Sequence, residues 1–119
     1  MQLSNKHVVF SRIRGARPTP GSAITSLVNG GIEAFARAMA LELAPVHVNV
    51  VSPGIVDSGA FWDRLGATRR DKMFADYAAK APVGRVGTPE DVAAATLFAL
   101  TNPFVTGTVL AVDGGGLQV

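Results

Sequence analysis

Apolar residues fall in three short unbroken runs separated by one long helical repeat, one polar stretch and one capped helix. That order predicts alternating strands and helices. Lys6-His7-Val8-Val9-Phe10-Ser11 has the length and β-branched content of a buried strand, and the turn-rich segment from Arg12 to Gly21 follows it. From Ser22 to Leu43 the apolar positions Ile24, Leu27, Val28, Ile32, Phe35, Met39 and Leu43 recur at three- and four-residue intervals, which predicts the strongest helix of the chain. Gly30-Gly31 in its middle costs about 1 kcal/mol per glycine relative to alanine, so close packing, most simply by another helix, is expected there. Pro45 ends the helix. A second strand, Val46 to Val51, is expected to stop at Ser52-Pro53-Gly54. Residues 55–87 lack a sustained period and read as a mobile flap with one or two short helices. Thr88-Pro89-Glu90-Asp91 then opens a helix to about Leu100, with Thr88 as cap and Asp91 at the reciprocal position. Val105 to Val112 reads as a third strand, closed by Asp113-Gly114-Gly115-Gly116.

Strand, helix, strand, helix, strand implies an α/β fold with a parallel sheet of about three strands and flanking helices. A length of 119 residues fits one domain, and 48% apolar against 17% charged residues excludes disorder as the main description. No apolar run reaches the roughly 18 residues of a membrane span, and residues 1–14 lack a signal-peptide plan, so a cytoplasmic protein without membrane association is expected. The chain has no cysteine, which removes disulfides, thiolate ligands and cysteine nucleophiles together. His7 and His47 are too far apart in sequence to form a local metal motif. The net charge of +2 is scattered apart from Arg12, Arg14 and Arg17, which argues against nucleic acid as a partner.

Several segments together resemble the C-terminal half of a short-chain dehydrogenase/reductase. They are Ala40-Leu41-Glu42-Leu43-Ala44-Pro45, Val48-Asn49-Val50-Val51-Ser52-Pro53-Gly54, Gly84 to Ala93, and Thr106-Gly107 leading to Val112-Asp113-Gly114-Gly115. The resemblance covers residues 1–119 almost throughout. It implies a three-layer Rossmann-like fold, whose fifth to seventh strands these would be, and an oxidoreductase using NAD or NADP on carbonyl and alcohol groups. It also implies a catalytic serine at Ser11 and a Tyr-x-x-x-Lys pair beginning thirteen residues later. Those positions hold Ile24 and Val28, which cannot transfer protons. Tyr77-Ala78-Ala79-Lys80 is one residue too short to replace the pair, and reads more simply as a solvated helix face.

None of the 13 glycines forms the family's phosphate-binding turn, which belongs to the N-terminal half, so poor dinucleotide affinity and weak or absent activity are expected of this chain alone. Pro53, Gly54, Ile55 and Ser58 match the family's cofactor loop, with an ordinary strand-ending turn as the alternative. Phe61 and Trp62 fall in the substrate flap, as an apolar lid or as packing residues. The three arginines after Ser11 are placed to meet an anion or simply to be solvated. Asn49 reads as a residue that satisfies backbone groups beside its strand, and Asp113 in Val-Asp-Gly-Gly as a turn former. The implied partners are an N-terminal half or further copies of the chain, and the alternative function is a non-catalytic oligomerisation module built on the Ser22–Leu43 helix.

Overall fold

A computed structural model describes residues 5–119. Three parallel strands, β1 (Lys6–Phe10), β2 (His47–Pro53) and β3 (Val109–Val112), form a sheet in the order β1-β2-β3. Helix α1 (Ala23–Glu42) connects the first two. Helices α2 (Ala60–Asp63), α3 (Ala67–Lys80) and α4 (Pro89–Thr101) precede β3.

Central β2 is buried from Val48 to Ser52, as its near-continuous β-branched sequence requires of a strand covered on both faces. On one face Val48 and Val50 meet Ala36 and Ala40 of α1, whose small side chains let the helix backbone approach the sheet. The other residues of α1 buried with them are Asn29 and Glu33. The bulky stripe carrying Ile24, Leu27, Val28 and Phe35 lies instead on the exposed side. Helix α4 packs across all three strands. Its start is the capping box that the sequence predicts: the Asp91 amide donates to the Thr88 hydroxyl and the Thr88 amide to the Asp91 carboxylate. Arg85, 2.7 Å from Asp91, and these donors hold that carboxyl well below the usual carboxylate range, with the Arg85 hydrogen bond the largest cause. None of the described helices is long and apolar enough to cross a membrane.

Three expectations change. β2 runs through Ser52 and Pro53 to pair with Val112. Val50 and Gly54 donate towards β3 and Val51 accepts from the Ser11 amide, so position 53 faces the β1 side beyond the end of β1, where a missing N–H is harmless. β3 starts only at Val109, because Gly107 takes a φ of 71° and the preceding segment is tied down by side chains of β2 and its own Thr106. At Gly30 the close neighbour is the short 3-10 turn Ile13–Gly15, whose Gly15 carbonyl oxygen would lie 3.6 Å from an added Cβ, while Gly31 faces open space. The reciprocal site is tighter: a Cβ on Gly15 would meet the Gly30 nitrogen at 2.8 Å, so this crossing of turn and helix requires glycine.

Candidate active-site cleft

Parallel sheets place ligand sites beyond the carboxyl ends of their strands, and two clefts that share Arg12 lie there. One of about 310 Å³ is lined by Arg12 and Arg14 from the segment after β1, Thr25 from α1, Pro53, Gly54 and Ile55 after β2, and Trp62, Met73 and Tyr77 from the flap. A second of about 430 Å³ shares Arg12, Pro53, Gly54 and Trp62 and extends to Ser58, Phe61 and Val92.

Residues of a strand alternate sides, and the extended backbone persists through Arg12 at φ −142° and ψ 155°. Ser11 and Arg12 are thereby separated. Ser11 is buried, its amide donating to Val51 and its hydroxyl to Glu33 Oε1 at 2.8 Å, whereas Arg12 lines both clefts. The same logic applies on α1. Ile24 and Val28, 74% and 54% exposed, lie away from the cleft lining, and Thr25 occupies it. Asn29, one turn further, is buried and donates to the Thr25 carbonyl at 2.7 Å. The expected grouping of Ser11, Ile24 and Val28 around one pocket is therefore corrected by one residue of strand and helix phase. Strand alternation counted to its end, with Ser11 inward and Arg12 outward, was the available signal.

Pro53, Gly54, Ile55 and Ser58 all border these clefts. The aromatic pair divides: Phe61 is 53% exposed, and Trp62, 4% exposed, packs inward between Phe61 and Phe74 while donating from Nε1 to the Val56 carbonyl. Tyr77 reaches over Gly54 and donates to the Asp113 carbonyl at 2.5 Å. Burial first, and then the Asp113 charge, push its phenol up from the ordinary value near 10, so it is not an activated acid. Tyr77 is the chain's single tyrosine, and a phenolate absorbance titration is expected to give a midpoint above that of a free tyrosine. The sign follows from linkage: its stabilising contribution is present below the unfolded pKa and is lost as pH rises through the folded one. A midpoint at or below the free value contradicts the buried placement.

The glycine turn after β3 does not fit a pyrophosphate. The only consecutive glycines after a described strand, Gly114-Gly115-Gly116, lie in a turn whose Gly115 and Leu117 amides are taken by the Asp113 carboxylate at 3.0 and 2.8 Å. Those amides are not available to a phosphate. Asp113 is thus the turn former that the sequence predicts.

Residues 1–116 match the family model described as enoyl-(acyl carrier protein) reductase. The short-chain dehydrogenase/reductase malC of Malbranchea aurantiaca is 35% identical over 95% of this chain and 42% of its own length. A small-chain dehydrogenase crystallised with NADPH superposes with a TM-score of 0.89 at 34% identity, over 96% of this chain and 52% of that one. An NADPH-bound short chain oxidoreductase of Pseudomonas aeruginosa PAO1, described as containing an atypical catalytic center, gives 0.80 at 32% identity over 92% of this chain and 45% of that one. The chain spans less than half the length of the curated relatives it matches. Motif order, parallel sheet and these likenesses together place it in the short-chain dehydrogenase/reductase family.

Proposed function

We propose that this chain is the substrate-side half of a nicotinamide-dependent oxidoreductase acting on carbonyl or alcohol groups, and that it turns over weakly or not at all alone. The supporting observation is the composition of the cleft facing β1 and β2. Counted from Arg12, the residue that lines the cleft, the family's spacings of thirteen and four fall on Thr25 and Asn29. A threonine hydroxyl can donate or accept a hydrogen bond, but no neighbouring ammonium lowers its pKa, and no lysine lines this cleft. Asn29 is engaged with the helix backbone. Hydride and nucleotide chemistry would come from NAD or NADP held largely by an N-terminal half.

With NADPH and a panel of ketones, absorbance at 340 nm is expected to stay flat for this chain alone. Robust turnover that disappears in Thr25→Val overturns the inactivity. A second reading, a non-catalytic assembly module in the cytoplasm, is favoured by the exposed Ile24, Leu27, Val28 and Phe35 along one side of α1. Light scattering decides on it: a stable monomer removes the module, and a dimer or tetramer without NADPH affinity favours it.

A further inference from the structure

We infer that the cleft recognises an organic oxyanion, a carboxylate or phosphoryl head on an apolar body, with the Arg12 guanidinium as its partner and Trp62 beside the body. Calling that ligand the substrate rests on the oxidoreductase reading; the binding site itself does not.

Charge is the first reason. Among the described residues the ion pairs join Arg70 to Asp63 and Asp71, Lys72 to Asp76, and Arg85 to Asp91; Arg12 takes part in none and makes no side-chain hydrogen bond. Arg14 adds a second cation to the smaller cleft, and neither cleft containing Arg12 has an aspartate or glutamate in its lining. Uncompensated positive charge in a concave site draws anions.

The mounting of Arg12 is the second reason. Its neighbour Ser11 is fixed twice, by its amide on Val51 at 3.1 Å and its hydroxyl on Glu33 at 2.8 Å, and the Gly15 amide closes onto the Arg12 carbonyl at 3.0 Å. A solvated loop arginine needs no such anchoring. Here the guanidinium emerges from a fixed backbone, which lowers the ordering cost of binding. Its planar fork matches two oxygens of a carboxylate or phosphate, and the Thr25 hydroxyl in the same cleft adds a donor. Trp62 supplies an apolar wall in both clefts, which matters because an ion pair in open water contributes little.

Trp62 is the chain's only tryptophan, so its fluorescence reports on the cleft without a label. The probes are 3-phenylpropanoate, 2-phenylethyl phosphate and the neutral 3-phenylpropan-1-ol. Saturable fluorescence changes are expected for at least one anion, with binding roughly tenfold or more tighter than the alcohol and weakened by added salt. The tighter anion identifies the head group. Arg12→Gln, at an exposed side chain, should keep the wild-type circular dichroism and lose that preference. Equal binding of alcohol and anions, no saturable change, or an undiminished preference in Arg12→Gln each overturns the inference. NADPH-dependent turnover of neutral ketones with no anion binding overturns it while sparing the oxidoreductase reading. Anion binding without nucleotide affinity supports it and counts against that reading alone.

Discussion

Asn49→Ala is expected to lower the stability of the fold by roughly 1–3 kcal/mol, because two half-buried backbone groups lose hydrogen bonds that contribute about 0.5–1.5 kcal/mol each. Asn49 is fully buried in the middle of β2, and its amide bridges the chain just before β3. Nδ2 donates to the Val105 carbonyl at 3.0 Å and Oδ1 accepts from the Thr108 amide at 3.1 Å. The loss is a sizeable fraction of the stability of an ordinary domain, about 5–15 kcal/mol, so a lower unfolding midpoint is the expected appearance. Urea unfolding followed by circular dichroism measures it. Asn49→Asp keeps the acceptor for Thr108 while losing the donor for Val105 and adding a buried charge, so it should not rescue. A midpoint unchanged for Asn49→Ala would show that the 105–108 segment is held by its other bonds, from the Val48 amide to the Thr106 hydroxyl and from the Gly107 amide to the Val48 carbonyl.

The second large effect is confined to the flap. Trp62→Ala removes a side chain that is 4% exposed, two edge-to-face ring contacts at 5.0 and 5.1 Å, and the hydrogen bond to Val56. Truncations of this kind cost about 3–5 kcal/mol. Helix α3 has no fully buried residue of its own, so it depends on what it leans against. Hydrogen exchange should therefore show α3 amides losing protection while β2 amides keep theirs. Trp62→Phe, which retains a ring but not the Nε1 donor, should cost only about 1 kcal/mol. Protection of α3 that survives Trp62→Ala would assign the flap's order to Tyr77 and the Asp113 turn instead.

The contrast between these residues shows where sequence reasoning reached. Asn49 stands out as an amide in a β-branched run, and a buried amide in a strand has to find backbone partners; only its partners' identity, 56 and 59 residues away in sequence, was hidden. The capping box at Thr88 and Asp91 was legible because cap and partner lie within one turn. The site was read less well. Ser11 and Arg12 are adjacent letters, as are Ile24 and Thr25, and a one-residue change of phase exchanges what is buried for what lines the cleft. Periodicity marked the bulky stripe of α1 but could not say that Ala36 and Ala40, joined by Met39 rather than by Ile24, Leu27, Val28 and Phe35, would meet the sheet.

The order of elements, the parallel α/β architecture, the helix caps and the strand-ending turns followed from local spacing and residue type, since each depends on contacts a few positions apart. The facing of Arg12 and Thr25, the burial of Ser11 on Glu33, the clamp of Asn49 on the segment before β3 and the seating of Tyr77 over Gly54 were decided by tertiary packing. Those contacts join positions distant in the chain, and their geometry turns on the rotational phase of each strand and helix, which an apolar pattern leaves uncertain by about one residue.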